Sequence, residues 1–259
     1  MPEPKPRTSL DLTPYTFCYD PRTDPPIVSW AVVFGAESPD LPVELEIGCG
    51  KGLFLANESA RRPGVRFLGV ELARKFALRA QERVAKRQLS QVRILAGDAV
   101  PLLERCLPPR CLQAVHVYFP DPWWKKKHRK RRIFNPWFVG RVAELLQPEG
   151  QLCFASDVAD YFAFMMALTT ASGRFDPLPA PPETTPRHDL DYLTNFERKF
   201  RIEGRPIQRA VWRLRSPDRW TEPIPLDESD EDPSWENPAS RFGPKAKRAE
   251  PTQSGEGSE

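Results

Sequence analysis

The residues best suited to chemistry stand where strands should end. The stretch Glu46-Ile47-Gly48-Cys49-Gly50-Lys51-Gly52 carries glycine at three alternate positions. Gly48 and Gly50 permit a tight turn and let the backbone approach a ligand closely. A dinucleotide fingerprint, GxGxxG, would need its third glycine at 53, and that residue is Leu53. Pyrophosphate binding is therefore disfavoured. Glu71 follows Gly69-Val70, and Asp98 lies between Gly97 and Ala99. An acid after the second strand of an α/β unit suits the two hydroxyls of a ribose. An Asp after the third strand can accept from an adenine amino group. Ribose, adenine and no phosphate describe S-adenosylmethionine, whose sulfonium charge also suits a set of acids.

A second constellation is FPDPWWKKKHRKRR, Phe119 to Arg132. Pro120 and Pro122 restrict the backbone on both sides of Asp121. Lys125 is close enough in sequence to reach a substrate base or phosphate. A lone run of charge is usually a solvated face. Beside a ligand site, the run containing Lys127, His128, Arg129, Lys130, Arg131 and Arg132 is expected to meet RNA phosphates. Trp123 and Trp124 either stack on a base or pack under the loop. Asp157 follows Phe154-Ala155-Ser156 and either faces the ligand or caps a helix. Glu197 can accept from guanine N1–H and its exocyclic amine, or pair with a neighbouring arginine. Thr194 can donate alongside it.

These residues need a frame that gathers them. VELEIG (43–48), VRFLGVEL (65–72), VRILAGD (92–98), AVHVYF (114–119) and QLCFAS (151–156) read as strands. Between them, 51–62, 73–89, 136–146 and 158–171 read as helices. IQRAVWRL (207–214) alternates like a last strand. Strand alternating with helix predicts an α/β fold with a doubly wound, mostly parallel sheet. Ligands bind such sheets beyond the carboxyl ends of the strands, where Gly48, Glu71, Asp98, Asp121 and Asp157 all fall.

Charge and cysteine content narrow the classes. Residues 221–259 hold ten acidic and four basic side chains, so residues 1–220 carry a net +9. A basic body favours an anionic partner. The five cysteines are scattered, with no CxxC pair. Neither a disulfide framework nor a metal is expected. No apolar run of about 18 residues occurs, and the N-terminus lacks a signal-peptide core, so a cytoplasmic protein is expected. Residues 1–30 read as an irregular arm and 31–220 as the catalytic domain. Residues 221–259 read as an acidic, Pro/Ser/Gly-rich, disordered tail.

The motifs LEIGCGKG, GVEL, GDA, YFPDPWWKKKHRKRR, FASD and TNFERKF, in this order, resemble the bacterial tRNA (guanine-N7-)-methyltransferases. The block PDPWxKxxHxxRR and the late TxFE are the specific parts. The glycine stretch is common to class I methyltransferases generally. The resemblance implies a Rossmann-like class I fold of about seven strands with an antiparallel C-terminal strand. It implies methylation of guanosine N7 at position 46, in the variable loop of tRNA. By the same resemblance Glu46, Glu71, Asp98 and Asp121 contact S-adenosylmethionine, and Asp121 is the active-site carboxylate. Lys125, Asp157 and Thr194-Asn195-Phe196-Glu197 bind the substrate, and Lys127 to Arg132 contact RNA. The chain departs from the pattern at Val158, where many relatives carry an aromatic residue.

Two other enzymes and one binding protein compete with this reading. Exocyclic-amine methyltransferases carry [DNS]PP[YFW] after the fourth strand, and Asp121-Pro122-Trp123 is one proline short. A nicotinamide oxidoreductase is weakened by the glycine spacing. A non-catalytic RNA-binding protein would not need the acids at 46, 71 and 98.

Overall fold

The computed structural model describes residues 10–20, 22–27, 29–35, 41–123, 125–180 and 192–224. Its strands are β1 (Val43–Ile47), β2 (Arg66–Glu71), β3 (Val92–Ala96), β4 (Leu112–Tyr118), β5 (Leu146–Ser156), β6 (Phe175–Leu178) and β7 (Gln208–Leu214). They form a seven-stranded sheet in the order β3-β2-β1-β4-β5-β7-β6. The first five are parallel, while β7 runs antiparallel to both β5 and β6. The expected doubly wound, mostly parallel sheet with a reversed last strand is therefore present.

The helices are α1 (Ala31–Phe34), α2 (Leu53–Arg61), α3 (Arg74–Lys86), α4 (Ala99–Pro101), α5 (Pro136–Leu145), α6 (Ala159–Ala171) and α7 (Asn195–Ile202). They cover both faces of the sheet. Phe54 and Leu55 of α2 join Ala77, Ala80 and Val84 of α3 in one core. Phe138 and Val142 of α5 join Tyr161 and Met165 of α6 in the other. Every residue of β1 is buried, as expected of a strand covered on both faces. Among the described residues no helix is long and apolar enough to cross a membrane.

Three elements differ from the sequence-based expectation. β6 reads FDPL, and Pro177 argues against a strand. It is tolerated because, among the described residues, β6 lies at the sheet edge and pairs only with β7. α7 occupies a stretch expected to be a connection, and Thr194 caps it by accepting from the Glu197 N–H at 3.0 Å. β5 begins at Leu146, before Pro148, because Leu146 pairs with Leu112 and the register then shifts.

The described part of the N-terminal arm carries a short 3₁₀ helix, Thr13–Tyr15, and docks on β3. The Phe17 N–H donates to the Ile94 carbonyl at 2.9 Å, and Thr16 bridges Ile94 in the parallel sense. Phe17 and Ile27 are buried. The arm thus shields the exposed edge of β3. The acidic tail beyond residue 224 lies outside the described residues.

Gly52 sets the approach of α2 to α3. Its φ is +66°, and a Cβ there would stand 2.8 Å from Ala80 Cβ and 3.1 Å from Ala80 Cα. Gly204 has φ +67° and open space around it. Gly204→Ala should cost only the left-handed backbone penalty, about 1–2 kcal/mol. Gly52→Ala should add about 1–3 kcal/mol of overpacking. Urea unfolding of the two variants measures the difference. Equal losses would show that α2 and α3 separate without cost.

Candidate active site

The carboxyl edge of the sheet gathers the predicted acids. Gly48 and Gly50 follow β1 with φ of +75° and +53°, and nothing lies within 4 Å of the point where either Cβ would stand. The turn is tied to β2, since the Gly48 N–H donates to the Val70 carbonyl at 2.8 Å. Glu71 ends β2. Its carboxylate accepts from the Gly50 N–H at 2.9 Å and the Ala73 N–H at 2.8 Å. Those two bonds fix the carboxylate and leave it further lone pairs. Asp98 caps α4, accepting from the Val100 N–H at 2.9 Å through one oxygen. Leu72 and Phe76 are exposed beside this edge, and the Lys51 ammonium lies 5.9 Å from the Phe76 ring centroid.

Glu46 is the most unusual member. It is 3% exposed, and among the described residues its Oε2 has no hydrogen-bond partner. Burial, opposed by His116 and reinforced by Glu71, raises its carboxyl to about 8. A buried carboxyl without a partner is costly. Beside two glycines with open space, it marks a site made for a polar ligand. The donor set suits S-adenosylmethionine. Acids line the cradle, which favours a sulfonium and disfavours a phosphate. Among the described residues no group of three or more His, Cys, Asp and Glu is placed to hold a metal.

Beneath Glu46 lies a buried network that composition and motif did not single out. Glu44 and Glu46 share one face of β1, and His116 sits opposite Glu46 on β4. The Glu44 carboxylate takes both Arg62 guanidinium nitrogens at 2.6 and 2.8 Å. Its Oε2 also lies 2.9 Å from His116 Nε2, and His116 Nδ1 lies 3.0 Å from the Tyr118 hydroxyl. Phe54 covers His116 and Tyr118 with ring centroids at 4.6 and 5.0 Å. Burial opposes the His116 charge, but Cys153 and Glu44 outweigh it and raise the group to about 10. Burial likewise opposes the Glu44 charge. His116 and Arg62 prevail and lower it to about 2. The signal was present in sequence: two polar residues at period two in each of two buried strands.

The Asp121 turn is held in unusual backbone. Phe119 and Trp123 flank it with φ of +54° and +43°. Side chains rarely tolerate that region, so each needs support. The Phe119 ring packs on Phe196 and Phe200 at 6.3 and 5.4 Å. The Trp123 ring stacks on His128 at 5.7 Å, and the Arg131 guanidinium lies 4.9 Å from its centroid. Trp123 therefore packs under the loop, and Trp124 lies outside the described residues. Asp121 is exposed. Among the described residues nothing hydrogen-bonds its carboxylate.

The basic run folds as a 3₁₀ helix, Lys126–Arg131. Lys125, Lys127, Lys130 and Arg131 are exposed, and His128 and Arg129 are half-buried. Arg132 departs from the expected RNA contact. It is 8% exposed, and its Nε–H donates to the Pro122 carbonyl at 2.6 Å.

The late substrate residues are also mostly turned inward. Glu197 is buried; its carboxylate accepts from Arg209 at 2.6 Å and the Leu193 N–H at 2.6 Å, and Arg201 Nε lies 2.8 Å away. Of the two readings of Glu197, the ion pair is the one observed. Thr194 is buried as the helix cap. Asn195 accepts weakly from Arg83 at 3.4 Å. Phe196, 48% exposed, is the one of the four that faces outward. Asp157 pairs with Arg205, and the cap position of α6 is Val158, so Asp157 is no helix cap. Arg205 lies 4.3 Å from the Phe200 ring, which joins Asp157 to the aromatic support of the Asp121 turn.

A parallel sheet whose ligand edge carries a glycine turn and successive acids defines a nucleoside-cofactor methyltransferase as the class. Comparison with known families agrees: a family described as a putative methyltransferase matches residues 40–210. The tRNA (guanine-N(7)-)-methyltransferase of Rhodopirellula baltica is 40% identical over 218 residues, 82% of this chain and 79% of that protein. The enzyme of the same name from Alcanivorax borkumensis is 39% identical over 70% of this chain and 73% of its own length. That from Hydrogenovibrio crunogenus is 35% identical over 73% and 75%. This chain belongs to the tRNA (guanine-N7-)-methyltransferase family.

The buried network predicts the pH dependence of stability. Glu46 binds its proton more tightly folded than unfolded, so its contribution weakens as pH rises from 4.5 to about 8. The His116 contribution is full below 6.5 and is lost as pH rises through about 10. The Glu44 contribution is full above 4.5 and is lost as pH falls through about 2. The melting temperature of the cofactor-free protein should therefore decline from about pH 6 to about pH 9. His116→Gln should flatten the upper part of that decline. A flat wild-type profile would remove this account of the network.

Proposed function

We propose that this protein transfers the methyl group of S-adenosylmethionine to N7 of the guanosine at position 46 of tRNA, in the variable loop. The observation that carries this reading is the Pro120-Asp121-Pro122 turn. It leaves the sheet at the same edge as the Glu46 cradle and runs directly into a basic helix. The catalytic unit spans residues 31–220 and works in the cytoplasm.

The bound cofactor supplies an electrophilic methyl carbon on a cationic sulfur. Guanine N7 offers an in-plane lone pair and is unprotonated at neutral pH, so no general base is needed. What remains is alignment of nucleophile, carbon and sulfur. Glu71 holds the ribose hydroxyls, Asp98 the adenine amine, and Glu46 and the Gly48–Gly50 backbone the rest of the cofactor. Asp121 faces the acceptor base and stabilises the positive charge that the ring acquires. Lys125 and the exposed residues Lys127, Lys130 and Arg131 receive the RNA backbone. Phe196 presents an aromatic face beside the turn. Asp157, Thr194, Asn195 and Glu197 shape the acceptor side through Arg205, the α7 cap, Arg83 and Arg209 respectively.

The deciding experiment incubates the protein with labelled S-adenosylmethionine and unmodified tRNA, digests the product and identifies the nucleoside by mass. N7-methylguanosine is expected. A methylated exocyclic amine would favour the adenine or cytosine reading, and no label would favour a binding protein. Asp121→Asn should lower turnover at saturating cofactor by about 10²-fold. Near-normal turnover would remove the electrostatic role. Replacing Lys125, Lys127 and Lys130 together by Ala should weaken tRNA binding and reduce the salt slope by about one for each phosphate no longer neutralised. Filter binding across salt concentrations reads that slope.

A further inference from the structure

Arg132 is the last residue of the basic run, yet it points away from solvent. Its guanidinium lies against a stacked pair of aromatic rings of α6, 5.1 Å from Tyr161 and 5.2 Å from Phe164. Its Nε–H donates to the Pro122 carbonyl at 2.6 Å. Tyr161 is itself part of the central core. Arg132 therefore ties the turn that carries Asp121 to the helix that follows β5.

That turn needs such a tie. Phe119 and Trp123 hold positive φ on either side of Pro120-Asp121-Pro122. Proline offers no N–H, so the turn cannot be anchored through residues 120 and 122 as donors. The Phe119 N–H anchors the entry to the turn on the Ala155 carbonyl at 2.8 Å, and the Pro122 carbonyl anchors its exit on Arg132. A guanidinium suits this task better than an ammonium, because it is planar, stacks on rings and directs its donors in fixed directions.

We propose that Arg132 is a positioning residue for methyl transfer, fixing Asp121 through the Pro122 carbonyl, and that it is not an RNA contact. The inference rests on the methyltransferase reading above. Arg132→Lys keeps the charge but loses the stacked fork. If Arg132 positions Asp121, this variant should lose about 10-fold or more in kcat. Its tRNA dissociation constant, salt slope and cofactor affinity should stay within about twofold of wild type. Phe164→Leu, which leaves the guanidinium and every surface charge in place, should shift kcat in the same direction by a smaller factor. It also serves as the test if Arg132→Lys melts below the assay temperature.

Two results would overturn the proposal. One is full kcat in Arg132→Lys or, where that variant is unfolded, in Phe164→Leu. The other is a loss of tRNA affinity in Arg132→Ala, with a salt slope reduced by about one, that Lys restores. Failure of the methyltransferase reading itself would appear separately, as wild-type protein that forms no N7-methylguanosine.

Discussion

The in-phase parallel register of β2, β1 and β4 is the constraint on which the site depends. Ile47 stands opposite both Val70 and Val117, and Glu71 stands opposite Ala96 of β3. All four chains consequently leave the sheet at one edge. The glycine turn, Glu71, Asp98 and the Asp121 turn are brought together by that alignment alone. A slip of one residue would send every side chain of a strand to the other face. In β1 it would drive Glu44 and Glu46 into the opposite core. Arg62 and His116 can meet Glu44 only in the observed register, so the ion pairs oppose the slip. Buried charges seldom add much stability. Here they select one alignment among those that hydrophobic burial alone would allow.

The basic run joins two tasks through its geometry. A 3₁₀ helix has about three residues per turn, so positions three apart share a face. His128 and Arg131 fall on one face and both reach Trp123. Lys127 and Lys130 fall on another and are exposed. One short segment can thus brace the Asp121 turn while presenting cations outward. The bracing is needed because each left-handed residue beside Asp121 is unfavourable by about 1–3 kcal/mol. Phe119 finds its support elsewhere, in Phe196 and Phe200.

The parallel strands were legible as short apolar runs ending at glycine or acid, β7 by its alternation, and the main helices by a period near four. The acids of the cofactor edge were legible because they follow those strands. β6 was not, since four residues with a proline carry no period. The inward turn of Arg132 was also hidden. In a run of like charges, sequence gives no sign of which member finds two aromatic rings about thirty residues later. Glu197 illustrates the same limit. Its type permits base recognition or ion pairing, and only the placement of Arg201 and Arg209 decides between them. Composition reports that charge is present, while partner choice is a property of the fold.

The division of charge along the edge follows from the proposed reaction. Methyl transfer to N7 moves a positive charge from sulfur to the guanine ring. Glu46, raised to about 8 by burial, is largely uncharged at neutral pH, so on the β1 and β2 side the Glu71 carboxylate is the group that would favour the sulfonium of a bound cofactor. After transfer the charge lies on the β4 side, where Asp121 stands with an exposed carboxylate. An acid already paired with a neighbour would respond less to an arriving charge, because its partner would have to be displaced first. Glu44, Asp157 and Glu197 are all so paired. Asp121 is exposed, and among the described residues nothing hydrogen-bonds its carboxylate, as the role proposed for it requires. The ring contacts that brace its turn fit the same proposal: a carboxylate that had to swing into place would lose in reorganisation what it gained in attraction.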